Sequence, residues 1–168
     1  PDWRTILGLR ESGEVDWGRV RAAQINVVRA LALPRLIATI VAAAVIVYSL
    51  RPVSSAPLLF SWFAGVVLVA AMVGFPQLRD RKVQIATATR AEFHRETLSL
   101  LVTAISWASL PVVFGKSGQA EQLLTVWSVS TALMGAATFS VSTLPLATSG
   151  FVLICGGGLG VMGWLLGI

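Results

Sequence analysis

The chain has 168 residues, of which 55% are apolar and only 12% are charged, and its formal net charge is +5. A soluble globular domain usually carries about 25% charged residues, so this composition excludes a soluble globule. The sequence therefore predicts an all-α protein, a polytopic bundle of membrane helices. One cysteine, Cys155, leaves no second thiol for a disulfide within the chain.

Residues 1–30 are predicted to be a cytoplasmic N-terminal segment. The first apolar run of the chain is too long and begins too late for a cleaved secretory signal. Asp16 is a candidate N-cap for a helix in which Val20, Val27 and Leu31 share one face. The arginines lie largely off that face, so we expect a basic amphipathic lead-in helix on the inner leaflet. An ordinary cytoplasmic extension of the first membrane helix fits the pattern equally well.

Five later segments are apolar enough to cross a bilayer. They cover residues 31–50, 58–78, 97–114, 122–141 and 146–168, which together form a transmembrane domain over 31–168. Each is long enough to span about 30 Å of hydrocarbon at about 1.5 Å per helical residue. A four-residue turn joins the last two, so these form a tight hairpin. Because five spans that start inside end outside, and the chain is still apolar at Ile168, we expect a sixth span in the full protein.

Basic residues set the expected orientation. Eleven of the 13 Lys and Arg residues precede or open the first span or lie between the second and third spans. Only Arg51 and Lys116 fall on the other side, so the positive-inside rule predicts a cytoplasmic N-terminus in the inner (cytoplasmic) membrane of a bacterium. The anionic inner leaflet is the expected partner of six basic residues: Arg19, Arg21, Arg29, Arg79, Arg81 and Lys82. Charge held against a membrane in this way indicates no nucleic-acid partner.

The inventory of reactive side chains does not predict an enzyme. The chain has one His, one Cys and eight acidic residues, and no acidic residue lies inside a predicted span. A metal site usually needs three or four converging ligands, and a proton or ion transporter usually needs ionisable groups at mid-membrane. We therefore expect no catalytic residues, no metal and no cofactor. His94, beside Arg95 and Glu96, is expected at a solvated surface, with axial ligation of a haem or chlorin as the alternative.

Small residues recur at helical spacing in the last two predicted spans. The fourth span carries Ser128, Thr131, Gly135, Thr138 and Ser142, and the fifth carries Gly156, Gly160, Gly163 and Gly167. Small residues let two membrane helices approach closely, so we expect these two stripes to pack on each other. The functional alternative is a crevice for a lipid, a quinone or another small ligand. Its expected lining is Ser106, Trp107, Trp127 and Ser130.

Four stretches carry a resemblance to a known family. They are Ile6 to Arg10 and Trp17 to Gln24 before the first span, Ser106 to Pro111 in the third, and Leu144 to Thr148 at the last hairpin. Their order resembles the N-terminal membrane region of bacterial cyclic-di-GMP signalling proteins, in which GGDEF and often EAL domains follow. The likeness covers nearly the whole chain, and neither a GGDEF nor an EAL signature is present in it.

Two functions are therefore expected as alternatives. The resemblance implies a membrane-embedded sensory or anchoring domain of a signalling protein, whose output domain, a diguanylate cyclase or phosphodiesterase, lies outside this chain. The other function is that of a non-catalytic accessory subunit of a larger membrane complex, of respiratory or photosynthetic type. Such a chain would be held by other membrane subunits or by a second copy of itself.

Overall fold

The computed structural model describes residues 15–115 and 120–166, and its regular secondary structure over those ranges is entirely helical. The described residues form six helices in chain order: α1 Trp17–Ala30, α2 Ala32–Leu50, α3 Ala56–Asp80, α4 Arg90–Phe114, α5 Ala120–Val141 and α6 Pro145–Leu166. The prediction of an all-α fold is confirmed. Part of the predicted cytoplasmic segment, residues 1–14, lies outside the described residues.

The helices have the character of a membrane bundle. Among the described residues, α2, α3, α4 and the stretch Pro145–Trp164 of α6 are long and apolar enough to cross a membrane, while α5 contains a shorter apolar stretch, Leu123–Phe139. Large apolar side chains cover the outer surface: Leu68, Phe139 and Leu153 are 61%, 87% and 73% exposed. Soluble proteins rarely expose contiguous apolar surface of this kind, so these helices indicate a protein embedded in a membrane.

Side-chain caps fix where two of the helices begin. The carboxylate of Asp16 accepts a hydrogen bond from the backbone N–H of Arg19 at 3.2 Å, which confirms the predicted N-cap of α1. At the start of α4, the hydroxyl of Thr89 accepts from the backbone N–H of Glu92, and the Glu92 carboxylate accepts from the backbone N–H of Thr89. This reciprocal capping box starts α4 at Arg90, seven residues before the predicted span.

The buried face of α1 differs from the predicted one. Ala22, Ile25 and Val28 are its buried residues, whereas Val27 is 41% exposed. The stripe of Val20, Val27 and Leu31, predicted to face the inner leaflet, is therefore not the face that packs inside the protein. Helical periodicity alone does not say which neighbour a short helix meets, and α1 packs against other parts of the protein, which select a different stripe.

The segment between α3 and α4 is one of those neighbours. The backbone N–H of Ala88 donates to the carbonyl of Gly18 at 3.0 Å. The Asn26 amide both donates to the Ile85 carbonyl at 3.0 Å and accepts from the Ile85 N–H at 3.2 Å. Nε of Arg21 donates to the Ala88 carbonyl at 3.0 Å. These four hydrogen bonds hold α1 against the α3–α4 connection.

α6 packs closely against α4. A Cβ atom built on Gly158 would lie 2.9 Å from the carbonyl oxygen of Ala108 and 3.2 Å from Cγ of Pro111. A Cβ built on Gly150 would lie 2.5 Å from Cδ2 of Leu101. Only glycine therefore fits at Gly158 without moving the backbone of α4, which makes this position the contact that sets the spacing of the two helices.

Candidate functional site

Four polar side chains from four different helices converge in the interior. We call them the polar network: Arg29 of α1, Arg35 of α2, Gln77 of α3 and Glu96 of α4. Nε2 of Gln77 donates to Oε2 of Glu96 at 2.8 Å, and a guanidinium nitrogen of Arg35 donates to Oε1 of Gln77. Nη2 of Arg29 lies 3.8 Å from Oε1 of Glu96. The network therefore links α1 to three of the helices that are long enough to span a membrane.

The network is buried. Glu96 is 7% exposed and Gln77 is 3% exposed, and the side chain of Arg29 is 11% exposed. Transfer of a carboxylate or a guanidinium out of water is costly unless the charge is paired and hydrogen-bonded, which explains why these residues contact one another. Removal of one partner from such a pair typically destabilises a protein by about 3–5 kcal/mol.

Positive charge exceeds negative charge in the network. The network contains two guanidinium groups, those of Arg29 and Arg35, and one carboxylate, that of Glu96, so the formal sum is +1. Two of their nitrogens, Nε of Arg29 and Nη1 of Arg35, are buried and have no hydrogen-bond partner among the described residues. The network therefore has both the charge and the N–H groups to interact with a further acceptor, and an anion suits it best.

The sequence predicts a role for one member of the network, Arg29, and none for Glu96. Arg29 is predicted at the lipid headgroups, and the structure shows that its side chain is only 11% exposed and lies beside Glu96. The signal for Glu96 is its register: Phe93, Glu96 and Leu100 follow one another at helical spacing, and all three are buried. A charged residue within an apolar stripe of a helix is a reason to look for a buried partner on another helix.

The other predicted headgroup residues lie at or near the surface. The side chains of Arg19 and Arg79 are 78% and 90% exposed, and Arg81 and Lys82 are also exposed. Arg21 is partly buried, because its Nε is bonded to the α3–α4 connection. Because Arg19, Arg79, Arg81 and Lys82 are exposed, a lipid phosphate could reach each of them.

The predicted ligand crevice is not gathered in one place. Trp107 is 4% exposed and contacts Trp62 edge to face, with ring centroids 5.8 Å apart, whereas Trp127 is 39% exposed on the surface of α5. The Ser106 hydroxyl donates to a carbonyl of its own helix at 2.7 Å, and Ser130 is buried. Trp107 does line a cavity of about 200 Å³, which it shares with Arg35, Thr39 and apolar residues of α4, α5 and α6 rather than with the other three predicted residues.

The two stripes of small residues do not face each other. Ser128, Thr131, Gly135, Thr138 and Ser142 are all exposed. A Cβ built on Gly135, Gly156 or Gly160 would meet nothing within 4 Å, and Gly163 is partly exposed. Gly158 lies about 200° around the helix from Gly156, so the face that approaches α4 is nearly opposite the predicted one. The predicted pairing is corrected accordingly; Gly167 lies outside the described residues.

The remaining reactive residues stand apart from the network. His94 is exposed, and its ring centroid lies 6.3 Å from that of its neighbour Phe93. Cys155 is buried, with Sγ 3.7 Å from the carbonyl oxygen of Ala104. Within the part of the chain that the structure describes, no three His, Cys, Asp or Glu residues form a group that could hold a metal ion.

A groove of about 830 Å³ lies beside the network, between α3 and α4. We call it the α3–α4 groove. One end is charged, with Arg29, Arg79, Asp80, Arg95 and Glu96, and its wall is largely apolar, with Val69, Met72, Val73 and Val102 among its residues. Three members of the polar network, Arg29, Gln77 and Glu96, thus line the groove.

No family model, curated protein or solved structure matches this chain. The resemblance to the membrane regions of cyclic-di-GMP signalling proteins therefore rests on the four quoted stretches alone. The polar network and the adjoining α3–α4 groove are the two features of the structure that bear on function.

Proposed function

We propose that this chain is a membrane-embedded sensory or anchoring domain of a bacterial signalling protein. In this proposal the domain has five spans in the inner membrane, a cytoplasmic N-terminus and an output domain outside this chain. The observation that carries the proposal is the polar network, because it connects α1, which is not itself a membrane span, to α2, α3 and α4.

The charge distribution supports the orientation. Arg29, Arg35, Arg79 and Arg95 lie at adjoining ends of α1, α2, α3 and α4, and the basic α3–α4 connection lies at the same end. By the positive-inside rule this is the cytoplasmic end of the bundle. The stretch Leu123–Phe139 of α5 serves as the remaining span, shorter than the others but apolar enough to lie in hydrocarbon.

A buried network of this kind suits signal transfer. The interaction of Arg29 with Glu96 depends on close geometry, because neither group is solvated when the two separate. A change in the packing of α2, α3 and α4 would therefore change how firmly α1 is held. The coupling free energy between two sites in a protein is typically about 1–3 kcal/mol. Loss of one partner of a buried ion pair typically costs about 3–5 kcal/mol, which is enough for such a coupling. We propose that the position of α1 reports the state of the bundle to the cytoplasm.

The native gene product tests this proposal. The chromosomal gene is given an affinity tag, and the protein is purified from its own membranes in mild detergent. We expect one polypeptide heavier than the 17.8 kDa of this chain, with a soluble signalling domain that is protected from protease in intact cells. Stoichiometric copurification with the subunits of a large membrane assembly would overturn the proposal.

A second candidate function is that of an accessory subunit, and one observation favours it. The small residues Thr131, Gly135 and Thr138 lie on the outer surface of α5 rather than inside the bundle. Such a surface lets a helix of another subunit, or of a second copy, approach closely. Substitution Gly135→Leu should then abolish copurification with the partner, whereas Leu124→Ala, at an exposed apolar position of the same helix, should leave it intact.

A further inference from the structure

We propose that the α3–α4 groove binds one anionic phospholipid of the inner leaflet, with the phosphate at the charged end and an acyl chain along the apolar wall. This inference deepens the proposed function, since it names the ligand class, and it rests on the proposed orientation. The groove offers about 830 Å³ and opens on the outer surface of the bundle, where lipid lies.

The shape of the groove matches an amphiphile. Its apolar wall runs from Val69 and Val102 towards Arg79 and Arg95. Val69 and Arg79 are ten positions apart, which corresponds to about 15 Å along α3. Polar side chains are confined to one end of that length, and a molecule with a charged head and a hydrocarbon tail satisfies both parts.

Charge complementarity favours an anionic head. The groove residues include three basic side chains, Arg29, Arg79 and Arg95, and two acidic ones, Asp80 and Glu96, so the formal sum is +1. Both carboxylates already have partners: Asp80 lies 3.7 Å from Arg79, and Glu96 accepts from Gln77. Nε of Arg29 is buried without a hydrogen-bond partner among the described residues. A phosphate monoanion balances the excess charge and accepts hydrogen bonds from guanidinium groups.

The surroundings of the groove favour a lipid over a soluble anion. Met72 and Phe75, which line it, are 69% and 66% exposed. A soluble phosphate ester would leave these side chains uncovered, whereas a phospholipid covers them with its acyl chain. The anionic lipids of the cytoplasmic leaflet are at the depth where Arg79 and Arg95 lie in the proposed orientation.

Lipid binding by the purified chain tests the inference. Binding of phosphatidylglycerol and of phosphatidylcholine is measured by native mass spectrometry and by the shift in thermal unfolding temperature in a neutral detergent. We expect the wild-type protein to retain phosphatidylglycerol preferentially. The double variant Arg79→Gln/Arg95→Gln should bind it about 30-fold more weakly, since each basic group near a lipid phosphate contributes about 5-fold.

The matched control is Arg81→Gln/Lys82→Gln. It removes two basic residues that are exposed in the same segment but do not line the groove, and we expect a much smaller loss than in Arg79→Gln/Arg95→Gln. Equal losses in the two double variants would overturn the inference, because they would indicate general attraction to a basic surface. Displacement of the lipid by millimolar inorganic phosphate would also overturn it in favour of a soluble anion.

A cross-linking experiment on the wild-type protein tests the lipid site without requiring that any variant folds. A phosphatidylglycerol analogue with a photoreactive group on its acyl chain is cross-linked to the protein in vesicles of phosphatidylglycerol and phosphatidylcholine. We expect the label in peptides around Val69–Val73 and Val102, and competition by unlabelled phosphatidylglycerol. Label confined to α5 or α6 would exclude the groove. The size of the native polypeptide and its topology do not depend on this result, so failure here is distinct from failure of the proposed function.

Discussion

Substitution Gly158→Ala should separate α4 from α6. The added Cβ would lie 2.9 Å from the carbonyl oxygen of Ala108 and 3.2 Å from Cγ of Pro111. A Cβ atom in a protein essentially never lies within 3.0 Å of a heavy atom of another helix. The obstacle is backbone and a proline ring, neither of which can rotate aside, so the helices must move apart. Overpacking of this kind typically costs about 1–3 kcal/mol, and we expect the free energy of unfolding to fall by that amount.

Gly160→Ala is the matched control for this substitution. It makes the same chemical change in the same helix two residues further on, where an added Cβ meets nothing within 4 Å. We expect its free energy of unfolding to be unchanged or raised by up to about 1 kcal/mol, because alanine is the better helix former. Both variants are compared by reversible unfolding in mixed micelles, monitored by helix content. Equal stability of the two variants, or a larger loss in Gly160→Ala, would refute the reasoning and restore the stripe predicted from the sequence.

Two further predictions concern the orientation and the placement of α1. In a Cys155→Ser background, an impermeant maleimide added to intact cells should label Lys116→Cys but not Lys82→Cys, and the reverse pattern would contradict the orientation. Substitution Asn26→Ala removes both hydrogen bonds to Ile85 and should speed amide exchange at Ile85 by about 10-fold, whereas unchanged exchange would mean that these two hydrogen bonds do not hold the connection in place.

The positions of the helices follow from local properties of the sequence. Long apolar windows place the predicted spans within seven residues of the observed helix ends, and Asp16 is the N-cap in both. These features depend on hydrophobicity and on side chains a few residues apart. For the same reason, the buried face of α1 was not predictable: Val27 and Val28 are equally apolar, and only the neighbouring residues of α4 and around the start of α6 determine that Val28 is buried.

The polar network and the packing of α6 depend on long-range contacts. Glu96 contacts Arg29, which is 67 positions earlier in the chain, and no local pattern pairs them. In α6 the sequence offers several glycines at similar spacing, and it does not say which of them faces another helix. Gly158 meets the backbone of α4 whereas Gly156 and Gly160 do not, because the position of α4 relative to α6 determines which glycine faces it. Sequence periodicity identifies candidates for such contacts, and tertiary structure selects among them.

Hydrogen exchange of α1 in the purified protein, reconstituted in lipid nanodiscs, tests the central claim that the polar network holds α1 to the membrane helices. Glu96→Gln removes the carboxylate of the network, which lies beside Arg29 and accepts from Gln77, and preserves the shape of the side chain. Asp80→Asn, which removes a carboxylate of a more exposed pair at the same end of the bundle, is the control. We predict that amides of residues 17–30 exchange at least about 10-fold faster in Glu96→Gln than in the wild-type protein or in Asp80→Asn. Equal exchange rates in all three proteins would contradict the claim.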